Sequence, residues 1–313
     1  DVMTTLLPAG LRVGVRVPAS SANLGPGFDC LGLALGIYDD LTVTTIDEPG
    51  VRLSVTGEGA DSVPFDDTHL VARAVARGLS HAGAAAVGLQ IDCVNAIPHS
   101  RGVGSSAAAV VSGLLAASGL LGMAPEHLGA QSLSDAELVQ LSGEFEGHPD
   151  NAAASVLGGA VVTWTEGEGE QARYSARRLK VDPRIRATAF ISHTESATSH
   201  TRGLLPDSVP RCDAVFNVSR TAVAVHALTS EPDLLLAATE DRLHQGYRAQ
   251  ALRPSADLVA QLRAAGYAAT ISGAGPTVLV LHTADLPASA AQHRGFTMVE
   301  TAISDGPTVV DAR

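Results

Sequence analysis

The segment Ile97-Pro98-His99-Ser100-Arg101-Gly102-Val103-Gly104-Ser105-Ser106-Ala107-Ala108-Ala109 has the residue types needed to hold a phosphate without a lysine. An apolar run ends at Ile97, two glycines follow, and two serines open an alanine-rich helix. Glycines let backbone N–H groups close on an anion, and the free amides and dipole of a helix start favour negative charge. Ser105 and Ser106 fall in that first turn, where a hydroxyl can cap the helix, donate to a phosphate oxygen or ligate Mg²⁺. The loop is not a Walker A loop, because no Gly-Lys-Ser/Thr closes it. It is not a dinucleotide fingerprint either, because the glycine spacing differs and no acidic ribose partner follows. A plain glycine turn with a serine N-cap accounts for the same residues. Taken alone, the loop leaves both readings open.

Two further segments narrow the choice: Val17-Pro18-Ala19-Ser20-Ser21-Ala22-Asn23-Leu24-Gly25-Pro26-Gly27-Phe28-Asp29-Cys30-Leu31-Gly32 and Ile271-Ser272-Gly273-Ala274-Gly275-Pro276-Thr277. In this order and at these separations the three segments resemble the GHMP family of small-molecule kinases, over essentially the whole chain. The resemblance implies an α+β fold, with an N-terminal domain like ribosomal protein S5 domain 2 and a ferredoxin-like C-terminal domain. ATP is then expected on the serine loop, at Pro98, Arg101, Gly102, Val103, Gly104, Ser105 and Ser106. Mg²⁺ is expected at Ser106 and Glu146, with Glu144 as the other carboxylate in reach. A hard cation takes oxygen ligands and needs few from protein when ATP supplies the rest. The intact Asn23-Leu24-Gly25-Pro26-Gly27-Phe28-Asp29 points to the branch whose acceptor is L-homoserine, on the way to threonine. It carries substrate-binding roles to Asn23, Asp29, His148, Asn151, Thr198, Arg202, Arg248 and Gly273, with Asp29 and Asn151 also catalytic.

The residue chemistry agrees in kind. An amino-acid acceptor presents a carboxylate, which Arg202 and Arg248 can grip with two parallel N–H donors where lysine could not. Asp29 can accept a hydrogen bond from the acceptor hydroxyl. Many members of the family place an aspartate base just after the capped helix, whereas His148-Pro149-Asp150-Asn151 has asparagine there. Phosphoryl transfer through a loose transition state depends mainly on positioning and charge neutralisation, so alignment is the expected mechanism. Val103 stands where the family commonly has leucine, which leaves the backbone amides alone. Each residue has a plainer reading: a solvated helix-end carboxylate for Glu146, surface arginines, a β-turn at Gly273. A GHMP kinase for mevalonate or a sugar is one rival, and a binding protein of this fold without catalysis is another. Intact Gly104, Ser105, Ser106 and Glu146 argue against the second.

The elements that position these residues are partly legible. Residues 13–17, 41–46 and 51–55 are β-branched or alternating and read as strands, as do 89–97, 187–192, 267–271 and 278–282. Helical spacing marks 69–81, 105–121, 213–228, 232–245 and 255–265. Ser134 followed by Glu137 forms a capping box for a helix to residue 145. Residues 156–164 read as a strand entered through Gly158-Gly159. The polar stretch 166–178 reads as a hinge, which divides the chain into domains 1–165 and 166–313. His69 is a weak candidate near an adenine pocket.

With 313 residues, 45% hydrophobic and 17% charged, the chain can bury a sizeable core. A net charge of -12 argues against nucleic acid or an anionic membrane as partner. Cys30, Cys93 and Cys212 sit far apart, which suits reduced thiols in the cytoplasm and no zinc site. No signal pattern opens the sequence, and residues 107–123 read as a buried helix because serines and glycines interrupt them. The resemblance also implies a possible homodimer.

Overall fold

The computed structural model describes residues 3–66 and 68–311. Strands β1 (Thr5–Leu6), β2 (Arg12–Ala22), β3 (Leu31–Ile46) and β4 (Gly50–Gly57) lead to helix α1 (Leu70–His81). Next come β5 (Ala84–Ala85), β6 (Gly88–Asn95), α2 (Ser105–Met123), α3 (Asp135–Glu146), α4 (Asp150–Leu157), β7 (Ala160–Glu166) and β8 (Arg173–Leu179). The second half holds β9 (Arg186–Ser192), α5 (Thr198–Arg202), α6 (Arg211–Thr229), α7 (Leu235–Ala238), α8 (Gln245–Arg248) and α9 (Arg253–Ala264). It closes with β10 (Ala268–Ile271), β11 (Val278–His282), β12 (Phe296–Thr301) and β13 (Thr308–Asp311). Helices and strands mix without βαβ alternation, the expected α+β class.

The larger sheet runs β13-β2-β3-β6-β4, with β7 and β8 branching from β3. Strand β3 serves two neighbours because it is 16 residues long: residues 31–33 pair with β7 and residues 40–46 with β6. Strand β2 alternates buried and open positions up to Val17, shifts register at Pro18, and is buried on both faces beyond it. Proline has no N–H to give the ladder, so an irregularity there loses little. The smaller sheet is β10-β11-β9-β12, all antiparallel.

Helix α2 lies across β2 and β3 with α4 beside it, and α1 and α3 pack on its other sides. Small residues let α1 and α2 come close. A Cβ on Gly113 would stand 2.6 Å from the Ala74 methyl. Val110, Leu114 and Leu120 are fully buried, each contributing roughly 1.5–3 kcal/mol. Among the described residues α2 is the one helix long and apolar enough to cross a membrane, but it is a core helix here. Its interior serines are bonded, Ser112 to Ala108 O at 2.6 Å and Ser118 from Leu133 N at 2.9 Å.

Three expectations need correction. Residues 156–164 are not one strand: α4 continues to Leu157, Gly158-Gly159 turn at positive φ, and β7 begins at Ala160. The polar stretch 166–178 is no hinge, because β8 pairs with β7 across it. Its polarity reflects a hairpin open to solvent, where Arg177 lies over Trp164. The change of sheet therefore comes between Leu179 and Arg186 instead of at 165/166, and β13 returns to pair with β2. Residues 232–245 break after Ala238, because the Asp241 carboxylate accepts the amides of Leu243, His244 and Gln245 and starts a new turn.

Candidate active site

The glycine loop folds as a nest at the start of α2. Ser100, Gly102 and Gly104 all have positive φ, and Gly104 precedes the helix with no side-chain cap, so its first amides remain available. A Cβ on Gly104 would collide with Ser20 Oγ, which only glycine avoids. The loop is clamped from both sides. Ser20 N donates to Val103 O at 3.0 Å, Thr277 N to Arg101 O at 3.0 Å, and Ser272 Oγ to Gly102 O at 2.6 Å. The first and third sequence segments thus fix the second.

Two cavities meet at this helix start, sharing Ser100, Ser105 and Ser106. One, about 410 Å³, is lined by Leu41, Val63, His69, Val71, Cys93 and His99, apolar enough for a base. His69 lies there, but its Nδ1 accepts from Val71 N and caps α1. The other cavity, also about 410 Å³, gathers every acceptor candidate: Asn23, Asp29, His148, Asn151, Thr198, Arg202, Arg248 and Gly273. It also reaches Gly102, Gly104, Ser105, Ser106 and Glu146. Pro98, Arg101 and Val103 do not line it. Val103 is buried in the core, and Arg101 turns away to Ser192 O at 2.8 Å and Glu195 at 3.1 Å. Arg101 therefore ties the loop to β9 and is not a phosphate contact in this arrangement. A larger cavity of about 770 Å³ lies elsewhere, between β8 and β12. Its Arg178 and Arg186 are already paired with Asp305 and Glu300.

Glu146 ends α3 and accepts from Ser106 Oγ at 2.9 Å. Burial raises its carboxyl above the ordinary range, and the Ser106 bond only partly offsets this. Glu144 is engaged by Arg77 and Gln140 at 3.2 Å each, so Glu146 is the carboxylate that faces Ser106. A hydroxyl and a carboxylate oxygen side by side at the helix start are the oxygen donors that a hard cation takes when phosphates supply the rest.

On the acceptor side, Asn23 Oδ1 accepts Asp29 N at 3.0 Å while its amide donates to Gly273 O at 3.2 Å. Asn23, Leu24 and Asp29 have positive φ, so this turn is held by contacts that offset its strain. Arg202 pairs with Asp29 through both nitrogens, at 2.8 and 3.1 Å. Arg248 is only 2% exposed and forms no ion pair among the described residues. It donates to Thr201 O and His244 Nδ1, both at 3.3 Å. Burial lowers its pKa and Arg202 nearby lowers it further, against a smaller opposing pull from Asp29 and Asp241. Both guanidinium groups lie over the Phe28 ring, at 5.5 and 5.6 Å.

His148 Nδ1 bonds the buried Asp150 carboxylate at 2.6 Å, which raises the imidazole pKa. Ser20 Oγ donates to Asn151 Oδ1 at 2.9 Å, which leaves the Asn151 amide N–H groups to donate into the cavity. Sequence reasoning missed Phe28, Asp150 and Ser20 as parts of this site. All three lie inside quoted segments; the partners of Phe28 and Ser20 are distant in sequence, whereas Asp150 acts on its near neighbour His148.

Comparison with known proteins shows the family. Residues 69–159 match the family model for the GHMP kinases N terminal domain, and residues 224–295 match the GHMP kinases C terminal model. Homoserine kinase of Rhodococcus erythropolis is 58% identical, covering 98% of each chain. That of Mycobacterium tuberculosis is 52% identical, again covering 98% of each. The solved structure of putative homoserine kinase from Listeria monocytogenes superposes with a TM-score of 0.69 at 28% identity, covering 96% of this chain and 100% of that one. Homoserine kinase from Cytophaga hutchinsonii superposes at 0.78 with 24% identity, covering 96% and 97%, a likeness of fold.

Proposed function

The chain belongs to the homoserine kinase family of GHMP kinases, and we propose that it transfers the γ-phosphoryl group of ATP to the side-chain hydroxyl of L-homoserine. The products are ADP, O-phospho-L-homoserine and a proton, a step toward threonine. The observation that carries this reading is Arg248: a buried guanidinium that forms no ion pair among the described residues, in a cavity continuous with the phosphate loop. A buried charge without a counterion is costly, so a site that keeps one is built to receive an anion. The acceptor's α-carboxylate supplies it.

In this reading the base of ATP occupies the cavity around His69 and the amides at Gly104–Ala107 hold the phosphates. Ser106 and Glu146 would hold Mg²⁺, which when bound neutralises charge on the phosphate oxygens. Arg248 orients the homoserine carboxylate, and Arg202, whose two terminal nitrogens hold Asp29, adds positive charge beside it. Asp29 accepts the hydrogen bond of the hydroxyl, whose oxygen forms the new bond to phosphorus as the bond to the ADP oxygen breaks. Asn151 acts as a donor because its oxygen is occupied by Ser20, so it steadies the reacting oxygens without abstracting a proton. His148, anchored by Asp150, lies beside them with its charged form favoured by that carboxylate. Three unpaired thiols suit a reducing cytoplasm.

The test is coupled ADP release with MgATP against L-homoserine, L-serine, L-threonine, mevalonate and galactose, with ³¹P NMR of the product. Strong preference for homoserine supports the reading. Turnover of mevalonate or galactose keeps the phosphate site and discards the acceptor site. ATP binding without turnover of any acceptor supports a binding protein instead.

A further inference from the structure

Arg248 is held by a residue outside the three sequence segments. His244, at the start of α8, is fully buried. Its Nε2 lies 2.7 Å from Gly25 O, an acceptor only, so Nε2 carries the proton and Nδ1 is left with a lone pair. Arg248 Nη1 donates to that lone pair at 3.3 Å. The imidazole stacks on Phe28 at 5.1 Å, the ring that lies under both arginines. Asp241 accepts the His244 amide at 3.1 Å and so fixes its backbone. The Gly25 side is closely packed, because a Cβ there would strike the Thr239 carbonyl.

We propose that His244 is a positioning residue for the acceptor: its neutral imidazole, lodged against the Asn23–Asp29 turn, presents Nδ1 to Arg248 and so aims the guanidinium at the substrate carboxylate. This rests on the homoserine reading of the site. The Nδ1 acceptor is the one side-chain hydrogen-bond partner of Arg248 among the described residues. Without it the guanidinium keeps its charge but loses its orientation, which weakens a two-point grip on carboxylate more than it weakens chemistry.

Two substitutions separate the imidazole's two bonds. His244→Asn places an amide oxygen near the Nδ1 position and gives up the reach to Gly25. His244→Gln reaches Gly25 and gives up the acceptor beside Arg248. Steady-state kinetics in both substrates, with a thermal melt of each variant, reads the outcome. The wild-type protein run alongside tests the homoserine reading itself: no homoserine turnover there overturns that reading, and the proposal falls with it. Given wild-type turnover, the expected result is a homoserine KM raised about tenfold or more in His244→Gln. Its kcat and ATP KM stay within about twofold, and His244→Asn lies closer to wild type. Three results overturn the proposal: unchanged homoserine KM in His244→Gln, a folded His244→Asn as impaired as His244→Gln, or both KM values shifting together with the melting temperature.

Discussion

Replacing Arg248 by methionine separates function from stability. The side chain is 2% exposed and carries no ion pair among the described residues, so its charge is a burden on the unliganded fold. Exchanging buried charged groups for apolar ones of similar volume is often neutral or stabilising by about 1–4 kcal/mol. Against this, Thr201 O and His244 Nδ1 each lose a donor, at about 1 kcal/mol apiece. The net change is about −2 to +2 kcal/mol, a melting-temperature shift of at most about 8 °C in either direction. Activity moves much further. Two charge-assisted hydrogen bonds to the substrate carboxylate are worth about 1.5–3 kcal/mol each, so kcat/KM for homoserine falls by about 10²–10⁴-fold. Differential scanning fluorimetry and coupled ADP release measure both on one preparation. A fall in melting temperature of more than about 10 °C, or a kcat/KM loss below about tenfold, refutes the reasoning.

Other outcomes follow from the same geometry. The Glu146 carboxyl is raised above its ordinary value of 4.5 by burial, so its ionised form costs stability as pH rises through the raised value, and protonation relieves that cost below 4.5. Metal-free Glu146→Gln is therefore more stable than wild type at pH 8 and gains nothing at pH 4, while its Mg²⁺ requirement for turnover rises about tenfold or more. Thermal melts across that range and a Mg²⁺ titration check both. Burial pushes the Cys30 thiol up to about 11 and the Cys93 thiol up to about 12, whereas Cys212 is exposed. Iodoacetamide at pH 8 should label Cys212 first and leave activity intact, as peptide mass mapping will show.

The parts legible in the sequence were those whose physics is local. The glycine–serine turn into α2 is set by neighbouring residues, and the capping box of α3 forms both bonds that Ser134 and Glu137 imply. The grouping of acceptor residues came from the family resemblance, since nothing local links Asp29 to Arg202 across 173 positions. The role of His244 was hidden for the same reason: its partner Gly25 lies 219 positions away. Arg101 came into the ATP set with the rest of the serine loop through the family resemblance, but the positive φ of Ser100 and Gly102 on either side accompanies a turn that sends it to β9. The helical spacing of 232–245 hid the break at Asp241, whose carboxylate competes for backbone amides. The hairpin of β7 and β8 looked like a hinge because much of it is solvated.

The central claim is that buried Arg248, which forms no ion pair among the described residues, binds the carboxylate of an amino-acid acceptor. The most direct test is kcat/KM for L-homoserine against 3-aminopropan-1-ol, which keeps the amine and hydroxyl and lacks the carboxylate, at saturating MgATP. A site whose buried polar groups are left unpaired rejects such an analogue by about 10⁴-fold, the ratio expected here. Comparable turnover of the two compounds would contradict the account.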